Sequence, residues 1–230
     1  MTNGVPRANY SGLLLRLKNE RSFPLVADSL GDVNHRGLVS AHGWHLYEWA
    51  SEFDAGVDAR GVSNTDGRFI YPLLLREVEE RFLLASTHSE VVQQFVTRNR
   101  LARLIERPII DVAGLVRESV FPATEESASG PSSYKMGALY ASVDGFGRSV
   151  RTISLFGDDL ASAGVVRDVL KYLNPYRVAL REVRSEQEVL SISTQGEINF
   201  YYRGAASLEG VDRALAYVRR GNFIHWRSKQ

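Results

Sequence analysis

Three of the chain's five histidines, His35, His42 and His45, crowd into one short stretch, with Asp32 before them and Glu48 after. The chain has no cysteine, so neutral imidazoles and carboxylates are the groups left to hold zinc or another divalent ion. On a helix His42, His45 and Glu48 repeat at i and i+3 and share a face, which makes His35, His42, His45 and Glu48 a candidate metal set. No His-Glu-x-x-His pattern accompanies them. The plainer alternative is a group of turn and surface histidines beside an aromatic core of Trp44, Tyr47 and Trp49.

A second chemistry is cationic. Arg98, Arg100, Arg103 and Arg107 stand together against only Glu106, and guanidinium groups so placed hold phosphates without reading sequence. Further along, alternation sends Ile198, Phe200 and Tyr202 to one side of a strand and Asn199, Tyr201 and Arg203 to the other. Arg177, Ala179 and Arg181 on a neighbouring strand would extend that second side into a platform of aromatic and cationic groups. Such a platform suits nucleotides, a DNA or RNA single strand, or a protein partner. The candidate nucleic-acid set is therefore Arg98, Arg100, Arg103, Arg107, Arg177, Arg181, Tyr201 and Arg203. The plainer alternative is a solvated arginine face and a half-exposed sheet.

Three short stretches resemble known families. Gly31-Asp32-Val33-Asn34-His35-Arg36-Gly37 resembles the Gly-Asp-x-x-Asp-Arg-Gly segment of serine/threonine metallophosphatases. The companion Asp-x-His and Gly-Asn-His-Glu segments are missing, and His35 stands at the second aspartate. Leu101 to Val116 resembles a helix-turn-helix in the spacing of Leu101, Ala102, Val112 and Val116. Its turn carries Glu106 where glycine is usual, and Ile109, Ile110, Val112 and Ala113 cannot read base edges. Asp144-Gly145-Phe146-Gly147-Arg148 shares a Gly-Phe-Gly core with the RNA-recognition motif, although both glycines equally suit a hairpin turn. None of the three extends into a family match. Phosphate loop, dinucleotide turn and nucleophile elbow are all missing from the sequence.

Composition bounds these options. Hydrophobic residues make up 44% and charged residues 24%, enough apolar material for a packed core. Net charge is only +1, so no global field draws a polyanion and any cationic site must be local. Residues 48 to 80 lean acidic, while residues 98 to 107 and the C-terminal stretch lean basic. The N-terminal apolar run is only Leu13-Leu14-Leu15 before Arg16 and Lys18, so neither a signal peptide nor a membrane span is expected and the cytoplasm is the expected compartment.

The elements that would position these groups follow from hydrophobic spacing. Leu46, Trp49, Ala50 and Phe53 fall at i, i+3, i+4 and i+7, which predicts a helix. Leu74, Leu75, Val78 and Phe82 after Pro72 repeat the pattern, with Arg76–Glu80 and Glu77–Arg81 as pairs on its solvated side. Helices are also expected around Val91, Val92 and Phe95, through Leu101, Leu104 and Ile105, and around Val112, Leu115 and Val116. Pro122 to Tyr134, rich in Ser, Gly and Pro, reads as a linker. Beyond it the period becomes two: strands at 137 to 143 and 149 to 156 joined by a hairpin, a helix from Val165 stopped by Asn174-Pro175, and strands around 178, 190 and 198. A last helix runs from Ser207 to Gly221, and residues 222 to 226 close the pattern.

The sequence thus predicts an α+β protein. A mainly helical part spans 1–121, a linker 122–134, and an antiparallel sheet in ββαβββα order, with helices packed on one face, 135–230. The function expected is non-catalytic binding or regulation, with DNA or RNA as the favoured ligand and no cofactor. A metal-dependent hydrolase at the histidines is the first alternative. The second is a structural subunit, homo-oligomeric or with a protein partner, with Trp44, Trp49 and Trp226 near the contacts.

Overall fold

The structure, a computed structural model, describes residues 8–18, 26–27, 29–39, 43–54, 62–63, 67–78, 81–120, 134–143, 151–183, 188–202 and 205–226. In chain order the strands and helices begin with β1 (Ala8–Leu17), β2 (Val33–Leu38), β3 (Trp44–Ser51), β4 (Val62–Ser63), β5 (Phe69–Val78) and β6 (Arg81–Ser86). Helix α1 (Ser89–Arg98), a 3₁₀ turn (Leu101–Arg103), β7 (Ile105–Glu106), β8 (Ile109–Ile110) and α2 (Val112–Val120) follow. Then come β9 (Tyr134–Val143), β10 (Thr152–Phe156), α3 (Gly164–Val169), a 3₁₀ turn (Leu170–Tyr172), β11 (Leu173–Glu182) and β12 (Glu188–Ser193). The chain ends through β13 (Glu197–Tyr202), α4 (Ala205–Arg220) and β14 (Ile224–His225). Strand accounts for 49% and helix for 29%, with four helices described. Among the described residues no helix is long and apolar enough to cross a membrane.

Two compact units divide the chain: residues 1–108, 196–209 and 226–230 form the first, and residues 109–195 and 210–225 the second. Most of the expected linker, residues 122–133, lies outside the described residues, while Tyr134 opens β9.

In the first unit the strands lie in the order β13-β1-β6-β5-β3-β2, with β4 on β5 and β7 on β1. The pairings are antiparallel. This overturns the mainly helical N-terminal part. The stretches around Leu46–Phe53 and Leu74–Phe82 that spaced like helices lie mostly in strands, while those around Val91–Phe95 and Val112–Val116 are helices; the reason for the strands is burial on both sides of the sheet. Leu73, Leu74 and Leu75 on β5 are all buried, as are Phe82, Leu83 and Leu84 on β6 and Leu13, Leu14 and Leu15 on β1. A strand covered on both faces shows an unbroken apolar run that periodicity cannot distinguish from a buried helix. Across the 44–53 stretch, Trp44, Tyr47 and Trp49 are the buried aromatic residues, and aromatics at this density favour a pleated strand.

Pro72 is housed at a change of partner. One side of β5 pairs β6 from Leu73 onward and β4 at Phe69 and Ile70, so the missing N–H of Pro72 falls in the gap between them. Its carbonyl accepts the Ser86 hydroxyl at 2.6 Å.

One face of this sheet gathers Leu13, Leu15, Tyr47, Trp49, Tyr71, Leu73, Leu75, Phe82 and Leu84 into a core with Val91, Val92, Phe95 and Val96 of α1. The apolar stripe of α1 recurs at helical spacing, which is why a helix forms here and is buried on that side.

In the second unit the order is β10-β9-β11-β12, and β8 pairs separately with β14. Helix α2 starts where the Asp111 carboxylate accepts the Gly114 N–H at 2.7 Å, and it buries Val112, Leu115, Val116 and Val120. The helix pair of a helix-turn-helix is not formed, because β7 and β8 stand between the 3₁₀ turn and α2. The helix expected from Val165 to Leu173 ends earlier: α3 stops at Val169, and Asn174-Pro175 lies inside β11, beside a bulge. The Gly145-Phe146-Gly147 segment is outside the described residues.

Candidate polyanion-binding site

Helix α1 ends in a tight arginine turn. Asn99 closes the helix with its backbone N–H on Phe95 O at 3.1 Å and its side-chain amide on the same carbonyl at 2.9 Å. Arg100 then takes a left-handed backbone, φ 55°, and Leu101–Arg103 complete a 3₁₀ turn. A non-glycine residue rarely adopts that region, so the reversal fixes where the neighbouring side chains emerge. Arg98, Arg100 and Arg103 are all exposed. Among the described residues no carboxylate pairs with any of them. The Arg98 guanidinium lies 5.8 Å from the Phe53 ring, while Arg107 donates to Gln93 at 2.8 Å. The bland role of these cations is to complement the negative end of the helix.

The turn is stitched to the end of β1. Leu104 O accepts the Lys18 N–H at 2.8 Å, and β7 pairs Glu106 with Arg16 and Ile105 with Leu17. This brings Arg16 and Lys18 beside the arginine turn, although they lie far from it along the chain. Arg16 in turn lies directly across from Arg81 on β6. Both guanidiniums approach one indole: the Arg16 carbon is 4.9 Å and the Arg81 carbon 5.5 Å from the Trp226 ring centre. Glu106 is ion-paired to Arg16. Sequence reasoning missed this group because its members meet through strand register and long-range packing, which no local spacing encodes.

The remaining expected cations are engaged differently. Arg181 of β11 is ion-paired with Asp158 at 2.7 Å and sits opposite Glu188. Burial pushes the Glu188 carboxyl up from its ordinary value, and Arg181 pulls it back down. Arg177 is half-buried, with its Nη1 enclosed. Tyr201 pairs with Asn9 across β13 and β1, its side chain outside the described residues, as is the whole of Arg203.

The histidine set divides. His35 on β2 and His45 on β3 meet, His35 Nε2 lying 3.0 Å from His45 Nδ1, and His35 stacks on Tyr47 at 4.6 Å. Glu48 does not join them. On a strand, residues 45 and 48 point to opposite faces, and Glu48 instead holds Arg36 at 2.6 Å. His42 lies outside the described residues. Among the described residues no three His, Asp or Glu side chains converge as a metal site would need. Two imidazoles in contact share one hydrogen between facing nitrogens. Burial lowers the His45 pKa from its ordinary value, helped by the neighbouring His35.

Fold and site together define a two-unit, largely antiparallel-sheet protein with a local cationic surface. No protein-family model matches the chain, and no curated protein matches it.

Proposed function

We propose that this chain is a non-catalytic binding protein that holds nucleic acid by its phosphates through Arg98, Arg100 and Arg103. The observation that carries the reading is the placing of three exposed arginines at one helix end and the reversed turn that follows it, with no acid paired to them among the described residues. Arginine offers a fork of donors that fits phosphate oxygens, and displaced counterions supply the driving force. Arg16 and Lys18, tied to the same turn through β7, add charge beside it. The phosphate loop, dinucleotide turn and nucleophile elbow are missing from the sequence, and the near-zero net charge makes this local concentration the feature that an anion would find.

The test is fluorescence anisotropy with labelled single- and double-stranded oligonucleotides over a salt series. Three phosphate contacts give log K a slope of roughly −2.7 against log salt on a duplex. Replacing Arg98, Arg100 and Arg103 together by Gln should reduce the magnitude of the slope by about that amount while circular dichroism stays unchanged. Absence of binding even at low salt would sink the reading, since the phosphate contribution is largest there.

A further inference from the structure

We infer that the Arg16–Trp226–Arg81 group is a seat for a phosphate oxyanion, distinct from the arginine turn and not dependent on it. Three observations converge. Arg16 and Arg81 are directly opposite on adjacent antiparallel strands, an arrangement in which like charges repel. Among the described residues one carboxylate answers them: Glu106 is ion-paired to Arg16, and no acid pairs with Arg81. The indole that both approach keeps its Nε1–H enclosed and, among the described residues, without an acceptor. A buried indole N–H ordinarily finds an acceptor, because leaving the donor unpaired is costly.

What this group lacks is negative charge and acceptor oxygens. A tetrahedral phosphate supplies both. One oxygen accepts from Trp226 Nε1, and others accept from the Arg81 fork and from the Arg16 nitrogens that Glu106 leaves available. The indole nitrogen is enclosed and the arginine carbons lie over the ring, so binding moves the arginine heads from the ring onto the anion. Their long flexible stems allow this, and each cation–π contact is exchanged for a stronger charge-assisted hydrogen bond. A carboxylate offers fewer oxygens and less charge and should bind more weakly. Whether the phosphate is a free ion or part of a nucleic-acid backbone, the chemistry of the seat is the same.

Trp44 and Trp49 are fully enclosed, so the three indole N–H resonances in a proton–nitrogen correlation spectrum separate the site from the core. Loss of one resonance in Trp226→Phe assigns the reporter. Titration of the full chain with inorganic phosphate, at ionic strength held constant with chloride, should move the Trp226 resonance downfield and saturably, leaving those of Trp44 and Trp49 in place. Acetate should act at least several-fold more weakly. A dinucleotide that carries a single phosphodiester should move the same resonance if backbone phosphate is accepted, and leave it unmoved if the seat takes only free phosphate. Arg81→Gln should weaken the apparent phosphate affinity about tenfold and Arg81→Lys less, with the two core resonances reporting that each variant is folded.

A Trp226 response no different from that of chloride, or one undiminished in a folded Arg81→Gln protein, overturns the seat. Oligonucleotide binding measured in parallel keeps the two proposals apart. Phosphate response without oligonucleotide binding retains the seat and removes the nucleic-acid reading, and the reverse pattern does the opposite.

Discussion

An arginine serves a ligand only as far as its neighbours leave it available, and the same side chain has three fates here. Arg181 is held by Asp158, Arg16 and Arg81 are drawn to an indole, and Arg98, Arg100 and Arg103 are exposed with no acid paired to them among the described residues. Residue type told where charge lies in the chain; partners decide whether it acts. The histidine pair obeys the same rule. His45 is kept neutral by burial and by His35 across the strand pair, so its folded pKa lies below that in the unfolded chain. Above the unfolded value near 6.5 neither state binds the extra proton, and this contribution to stability is complete. As pH falls below that value the unfolded chain takes up a proton that the folded chain resists. Stability should therefore decline from about pH 6.5 downward until the folded His45 also charges. Urea unfolding at pH 7.5 and at pH 5 in the native protein and in His45→Gln measures this. A smaller decline in the variant is the expected outcome, and an identical decline would place the pH sensitivity elsewhere.

At the scale of elements, the central event in the first unit is the close approach of β1 to β6. Gly12 pairs with Ala85, and a methyl group built on it would lie 2.6 Å from Leu84 O and 2.8 Å from Ala85 Cβ. Neither neighbour is the movable end of a long side chain, so Gly12→Ala should destabilise by about 1–3 kcal/mol through overpacking. Denaturant unfolding would register this as a lowered midpoint at unchanged slope; a midpoint shift worth less than about 0.5 kcal/mol would mean the strands can part. The same strands explain what the sequence concealed. Val91, Val92 and Phe95 marked α1, and Leu208, Val211, Leu215 and Val218 marked α4, because each is a helix with one buried stripe. Ile198 and Phe200 alternated with half-exposed neighbours and marked β13. Leu73 to Leu75 and Phe82 to Leu84 lack any polar interruption, since both of their faces are covered, and a buried strand without alternation imitates a helix. The site divided along the same line. Arg98, Arg100 and Arg103 were legible because one short stretch holds them, whereas Arg16 and Arg81 are joined by strand register and Trp226 reaches them only through tertiary packing.

The whole molecule is organised against its own chain order, because the first unit takes in residues 196–209 as well as residues 1–108. Strand β13 pairs β1 from Ala8–Tyr202 to Leu13–Glu197 and so closes one side of that strand. Its Ile198 and Phe200 are buried, and the Phe200 ring stacks on Tyr10 at 5.5 Å and lies 5.8 Å from Trp44. Full burial of such a side chain contributes about 1.5–3 kcal/mol. Two of them, with the contacts they give Tyr10 and Trp44, amount to roughly 5 kcal/mol, comparable with the whole stability of a small domain. A fragment ending at Pro108 should therefore lack a stable fold despite containing nearly all the strands of its unit. Thermal circular dichroism of residues 1–108 should show no cooperative transition, and a synthetic peptide covering residues 196–209 should restore one in proportion to its concentration. Should the fragment melt cooperatively by itself, with a midpoint indifferent to the peptide, β13 would be an accessory to the unit, and the burial of Phe200 would have to be a consequence of folding and not one of its causes.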